Sequence, residues 1–377
     1  MSHQIAIFDS SRRLLAKQKV FFTSLQHWSG LLLCGLTAFF ATILGDSAWP
    51  QSHGISTLTI AIVLGMAVGN AAYPRFPGLA AVCGTGVAFS KQTLLRIGVV
   101  LYGLRLTLLD VGTVGVSGVL IDAAILTSTF ALSTFVGTRW LGMDQKDAML
   151  IGAGSSICGA AAIMAAEPVV HARAEQVTVA VATVVLFGTV SIFLYPALFQ
   201  LNATWQLLPS GENAFGVYIG STVHEVAQVV ATARSIGPHA ADTAVIAKMV
   251  RVIMLAPFLM GLSIWLTRCV PTIREHPAGA GKRNRSALAI PWFAVGFIVV
   301  VLVNSLRVVP TRLHDVFLEI DSLLLTMAMA ALGISTHFRA LRQAGVRPLL
   351  LALFSFAWLV IAGAAINRWV PKLIGGI

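Results

Sequence analysis

Two short runs carry residues whose chemistry does not suit the apolar stretches around them. The first is Gly152-Ala153-Gly154-Ser155-Ser156-Ile157-Cys158-Gly159, which continues through alanines to Glu167. Glycine frees the backbone, and Ser155 and Ser156 can satisfy main-chain groups that a broken helix leaves unpaired. The expected chemistry is binding of an anion or polar solute at the positive end of a half-helix, where N–H groups and hydroxyls converge. The second run, Gly220-Ser221-Thr222-Val223-His224-Glu225-Val226-Ala227-Gln228, aligns on the first without a gap. Gly154 meets Gly220, Ser155 meets Ser221 and Ser156 meets Thr222. Close packing by small residues would explain one such run. A second copy in register favours a site, because paired, interrupted hydrophobic segments mark the binding site of many transporters.

Ionisable groups inside apolar runs are costly and are the next candidates. Asp122 lies in the middle of Val119-Leu120-Ile121-Asp122-Ala123-Ala124, and Lys248 and Arg251 lie one turn apart on one helix face. The two cations either balance membrane acids or supply countercharge to a bound anion. His224 directly follows the second glycine break, and a histidine titrating near neutral pH can couple solute movement to protons. Asp122 and Glu225 are the other coupling candidates, with a structural ion pair as the plain alternative for each. His171 and His239 are expected near the ends of spans.

Two enzymatic patterns are nearly present. His224-Glu225-Val226-Ala227-Gln228 has Gln where a zincin HExxH motif has its second histidine, so zinc would lack a ligand. Ser155 or Ser156 could pair with His224 as nucleophile and base, but the matching Ser221 and Thr222 favour binding hydroxyls. There is no GxxxxGK[ST] phosphate loop. The expectation is a chain without catalytic residues, metal or cofactor.

The elements that position these residues follow from composition. Hydrophobic residues make up 57% of the 377 and charged ones only 11%, at a mean hydropathy of +0.84. No soluble domain of this length could bury that much apolar surface, so the chain is an all-α polytopic membrane protein. A net charge of +11 raises nucleic acid, but the basic residues fall mainly in short loops between apolar runs, which excludes it. Cys34, Cys83, Cys158 and Cys269 are dispersed, without ligand spacing, and are expected to be small packing residues.

About ten or eleven spans can be drawn, with two discontinuous Gly/Ser-rich helices among them, at 148–170 and 215–233. A basic tail over 1–27 (Arg12, Arg13, Lys17, Lys19) is expected to stay cytoplasmic, and 28–377 to form one transmembrane transporter domain. Loop counting places Arg139, Lys146, the basic 268–285 loop and Arg339, Arg342 and Arg347 on the cytoplasmic side, and the C-terminus outside. If either broken segment is re-entrant, everything after it flips. On this count the two broken segments run parallel, whereas an inverted repeat needs them antiparallel. A weaker echo relates Gly103-Leu104-Arg105 and Gly115-Val116 to Gly333-Ile334-Ser335 and Gly345-Val346. Gly65 and Gly69 form a GxxxG pair that permits a homodimer.

The two glycine boxes, with Leu95-Arg96-Ile97-Gly98-Val99-Val100-Leu101-Tyr102-Gly103-Leu104-Arg105, resemble the YeiH-like bacterial inner-membrane proteins, conserved hypothetical proteins often labelled sulfate exporters. The resemblance runs from about residue 30 to the end. It implies the superfamily of cation:proton antiporters and bile-acid symporters, with a core domain of crossed, discontinuous helices beside a panel domain. The expected function is secondary transport of a small anion, sulfate or a related sulfur oxyanion, across the bacterial inner membrane with proton coupling. Gly154, Ser155, Ser156, Gly220, Ser221 and Thr222 would hold the anion, Lys248 and Arg251 would supply countercharge, and His224, Glu225 or Asp122 would couple protons. A proton- or sodium-coupled cation exchanger, using Asp122, Glu167 or Glu225, is the alternative. An intramembrane enzyme and a non-transporting scaffold are remoter ones.

Overall fold

The computed structural model describes residues 25–47, 50, 56–269, 292–336 and 345–374. The tail up to residue 24, the loop with Arg274, Lys282, Arg283 and Arg285, and Arg339 and Arg342 lie outside them. Every regular element among the described residues is helical. Among the described residues, seven helices are long and apolar enough to cross a membrane, and the chain is a multi-pass membrane protein. It divides into two compact units, Met1–Gly98 with Glu319–His337, and Val99–Leu318 with Phe338–Ile377.

The first unit contains α1 (Leu25–Gly45), α2 (Thr57–Ala67), α3 (Pro77–Phe89), the start of α4 (Leu95–Tyr102) and most of α14 (Thr311–Ser335). Its helices meet backbone to backbone. A Cβ on Gly30 would lie 2.2 Å from the Cys83 carbonyl oxygen, and one on Gly65 2.3 Å from that of Ala330. The face carrying Gly65 and Gly69 is therefore filled by α14 of the same chain, as expected where close approach gains dispersion that lipid does not supply. Asn70 closes the end of this contact by donating to the Thr336 carbonyl at 2.8 Å.

The second unit is built on long helices. α5 (Leu108–Arg139) and α8 (Ala174–Trp205) have 32 residues each; α8 reaches roughly 48 Å at 1.5 Å per residue, whereas α5 is kinked at Gly115, where φ is +50°. With them run α11 (Pro238–Ile253), continued by α12 (Leu255–Cys269), then α13 (Trp292–Ser305) and α15 (Val346–Ile374). A reciprocal Thr107–Asp110 capping box starts α5, and Gly237-Pro238 starts α11 with proline in the first turn.

Between these helices lie the two glycine segments, and neither one crosses. The first forms α6 (Gln145–Ser156) and α7 (Ala160–Val170). Its two ends meet again, because Lys146 Nζ donates to the His171 carbonyl at 2.9 Å and Gln176 Nε2 to Asp144 at 3.2 Å. The second forms α9 (Glu212–Thr222) and α10 (Val226–Arg234). Here a Cβ on Gly237 would fall 2.4 Å from Glu212 Oε2, so this segment also returns to where it began. The expected spans over 148–170 and 215–233 are thus hairpins. Their arms of 9 to 12 residues reach roughly 14–18 Å, about half of a ~30 Å hydrocarbon layer.

The hairpins enter from opposite ends of α5. The mouth of the first lies where α5 finishes, beside Gly142, which accepts from Arg347 at the start of α15. The mouth of the second lies at the other end, where Asn304 of α13 donates to the Leu106 carbonyl at 2.9 Å. At that same end Arg368, late in α15, donates to the Leu207 carbonyl after α8. Entering from opposite ends, the two hairpins run antiparallel, as an inverted repeat needs.

Single cysteines in a background with the native cysteines replaced by serine test this path. Exposed positions Trp140 and Arg173 flank the first hairpin, so W140C and R173C label from one side of the membrane with an impermeant maleimide. N213C and H239C, flanking the second, label together from the other. If 148–170 crossed, the first pair would split between the two sides.

Candidate functional site

The turns of the two hairpins, Ile157-Cys158-Gly159 and Val223-His224-Glu225, meet at mid-depth against α11. Lys248 Nζ donates to the carbonyls of Ile157 and Val223, each at 2.7 Å. These two residues are equivalent in the sequence repeat. Arg251, one turn further on, donates from Nη2 to the Ser155 carbonyl at 3.0 Å and from Nη1 to that of Ser221, again equivalent positions, and from Nε to Ser156 at 2.7 Å. Both cations are completely buried. One face of one helix thus binds both copies of the repeat.

These contacts reverse one expectation. Ser155, Ser156, Ser221 and Thr222 end α6 and α9, so they sit at the carbonyl-rich, negative ends of half-helices and not at positive ones. That is why Lys248 and Arg251 come to them. The positive ends belong to α7, which starts at Gly159, and α10, which starts at Glu225. Gly159 has φ of +71°, and a Cβ there would lie 2.6 Å from Glu225 Cγ, so only glycine fits. Glu225 caps α10 in a reciprocal box, with its own N–H donating to Gln228 Oε1 at 3.1 Å. Its carboxylate arm therefore lies against the starts of both returning half-helices.

The hydroxyls divide by occupation. Ser156 Oγ donates to the Ala153 carbonyl, and Ser221 Oγ to Tyr218 while accepting from Asn367 at 3.0 Å. Thr222 Oγ1 donates to the Tyr218 carbonyl and accepts from Tyr195 at 2.8 Å. Among the described residues Ser155 Oγ is buried without a hydrogen-bond partner, and so is Nδ1 of His224, so these two are not bonded to each other. Gly154 and Gly220 are packing positions. Gly154 faces Ile163 and Val184, and Gly220 lets α9 close on the Ala244 carbonyl.

Asp122 sits midway along α5, completely buried, with neither carboxylate oxygen hydrogen-bonded among the described residues. Arg251 and Lys248 are the charges that act on it. Glu167 lies on α7, towards the mouth of the first hairpin and away from the turns. His171 and His239 lie at the two mouths. Sequence reasoning missed Tyr195 and Asn367, which hold the second turn from α8 and α15. Asn367 had a signal, as an amide inside an otherwise apolar run; Tyr195 had none.

By donor inventory the turns keep one N–H of Lys248, two of Arg251 and the Ser155 hydroxyl beyond the contacts above. The arrangement can present donors to a small polar solute beside a carboxylate that has no fixed partner.

The family model for conserved hypothetical protein 698 matches residues 29–352. A UPF0324 membrane protein of Pseudomonas aeruginosa is 56% identical over 366 residues, 97% of this chain and 99% of that one. A UPF0324 membrane protein of Yersinia pestis is 50% identical over 97% of this chain and 98% of its own length. The UPF0324 inner membrane protein YeiH of Escherichia coli K12 is 49% identical over 343 residues, 89% of this chain and 94% of that protein. No solved structure matches.

If Arg251 and Lys248 hold the hairpins together, removing either leaves buried carbonyls unpaired, at about 1.5–3 kcal/mol for each lost bond to a charged group. Arg251→Leu, which removes three such bonds, should therefore lower the unfolding midpoint in detergent well below that of Asp122→Asn, which removes none. A thermal unfolding series on the two purified variants checks the order.

Proposed function

The chain belongs to the conserved hypothetical protein 698 (UPF0324) family, and from that premise we propose that it is a secondary transporter of a small anion. Sulfate or a related sulfur oxyanion is carried across the bacterial inner membrane together with protons. On this reading the protein is not an enzyme, and its N-terminus is cytoplasmic. The observation that carries the proposal is the meeting of two antiparallel hairpin turns at mid-depth around buried cations. Non-helical backbone at that depth is tolerated where it is buried in protein or lines a cavity, and it is how many transporters build a solute site.

Charge balance supports the anion and its coupling. Lys248 and Arg251 contribute two positive charges, and Asp122 and Glu225 two negative ones. The four half-helix ends at the turns, roughly half a charge each, cancel in pairs. The empty site is thus near neutrality with Asp122 ionised. Protonating Asp122 leaves one unbalanced cation, which draws in an anion; a dianion such as sulfate is fully balanced only when a second proton is taken up, at Glu225 or His224, so protons and anion enter together. Ser155 Oγ and the spare donors of Lys248 and Arg251 are the contacts available to the anion.

One observation favours a second reading. Two unpartnered oxygens on Asp122 also suit a site for an exchanged cation or proton, as in a cation:proton or sodium-coupled exchanger of the same fold.

Flux of radiolabelled sulfate in proteoliposomes, with imposed pH and sodium gradients, separates these readings. Sulfate is expected to accumulate down an imposed proton gradient. Ser155→Ala, which has no structural bond to lose, should raise the sulfate KM severalfold and leave the unfolding midpoint unchanged. Asp122→Asn should keep sulfate exchange but lose its response to the pH gradient, whereas the cation exchanger would lose all flux. His224→Ala with an unaltered pH response would remove His224 from the coupling. Absence of sulfate, thiosulfate and phosphate flux under every gradient would overturn the anion reading.

A further inference from the structure

The mouth of the second hairpin contains chemistry that the central site does not use. A cavity of about 390 Å³ opens there within the second unit, lined by Leu104, Arg105, Arg234, Asp242, Asn304 and His314, among others. That size lies within the roughly 300–1,000 Å³ of small-molecule sites. Three separate parts of the chain deliver its polar groups: the turn after α4, the end of α10 with the start of α11, and the α13–α14 connection.

Two guanidiniums converge on it. Arg105 Cζ lies 5.4 Å and Arg234 Cζ 5.6 Å from the centre of the Tyr102 ring. Two like charges beside one ring repel each other, and the repulsion has to be offset. The ring quadrupole and the Asp242 carboxylate offset it in part. Asp242, however, accepts from the Tyr102 hydroxyl at 2.9 Å, so one hydroxyl already occupies part of its accepting capacity. Asp110, which also acts on Asp242, is bonded to Thr107 N and Oγ1 in the cap of α5.

The remaining groups are set for donation. Nε of Arg234 is buried with no hydrogen-bond partner among the described residues. His314 lies with Nε2 3.0 Å from the Leu104 carbonyl and Nδ1 3.7 Å from Asp315. Asn304 holds the rim by donating to the Leu106 carbonyl. Arg105 and Arg234 bring two guanidiniums to the lining, and the buried, unfilled Nε donor of Arg234 is the chemistry that recognises an oxyanion.

We propose that this cavity is a second oxyanion site, an outlying station where the transported anion is first held or last released. Its role in transport rests on the function proposed above; its ability to bind an oxyanion does not. Arg234 ends the same nine-residue half-helix that Glu225 begins at the central turn, so the two sites are about 14 Å apart along one helix. An anion held by Arg105 and Arg234 is thus one half-helix length from Ser155 and Lys248.

Chemical protection of arginine, read residue by residue, tests the site in the intact protein. The full chain in detergent is treated with phenylglyoxal in sodium sulfate or in sodium gluconate of equal ionic strength, and modification of Arg234 and Arg105 is followed by peptide mass spectrometry. Sulfate should slow modification of Arg234 about threefold or more, since a site held at twice Kd is free one third of the time. The protection should survive in Ser155→Ala, weaken at Arg234 in Arg105→Gln, and strengthen in Asp242→Asn, which removes the acidic group of the lining. The proposal is overturned if sulfate, thiosulfate and phosphate all leave the Arg234 rate unchanged, or if Ser155→Ala abolishes the protection and so places binding at the centre. Protection without sulfate flux would keep this site and overturn the transport reading; flux without protection would do the opposite.

Discussion

Everything at the centre of this protein depends on two cations of α11 donating to main-chain carbonyls of two different hairpins. A chain that breaks its helices at mid-membrane exposes carbonyls where no lipid can satisfy them, and each one left unpaired costs several kcal/mol. Lys248 and Arg251 remove that cost for both breaks together, at matching positions of the repeat. The charges in turn avoid the penalty of unpaired burial, because two half-helix C-termini and Asp122 face them. Neither partner is stable there alone. The glycines follow from the same constraint. Gly220 lets α9 close on α11, and Gly159 turns where Glu225 leaves no space for a side chain.

Such mutual dependence places both hairpins under one control. A change that moves α11 alters the anchoring of turns that enter from opposite ends, and a change at either turn is felt through the same two side chains. Asp122 and Glu225 contribute differently. Glu225 is bound into the cap of α10 and spends its charge on helix starts. Asp122 has no bonded partner among the described residues, so its charge can change without breaking a hydrogen bond to them. A group that can change its charge at low structural cost, beside cations held by main-chain carbonyls, is the physical basis of the coupling proposed here.

The relatives named UPF0324 membrane proteins and the match to conserved hypothetical protein 698 establish kinship over nearly the whole chain, and kinship of this kind carries fold more securely than substrate. The geometry adds what the names do not contain: a pair of antiparallel hairpins, a set of carbonyl contacts shared by both turns, and a cavity at one mouth with two arginines in its lining.

Much of this was readable before folding was considered. Composition alone dictates an all-helical membrane protein, because nothing else can bury or solvate so apolar a chain. The Gly-Ser repeat marks both breaks, and the rarity of charge in apolar runs singles out Asp122, Lys248, Arg251 and Glu225. What could not be read was direction. A spanning helix and two arms of a hairpin have the same composition, since both lie in the same apolar surroundings, and only Lys146 meeting His171 and Gly237 meeting Glu212 separate them. The polarity of the Gly-Ser runs was hidden for the same reason: small residues mark a break without saying which half-helix they end. Arg105 and Arg234, 129 positions apart by their numbers, look like ordinary loop cations until tertiary packing sets both beside Tyr102. Local chemistry is written in the sequence; which ends meet is decided by long-range contacts, because the hydrophobic pattern records depth in the membrane and not neighbours.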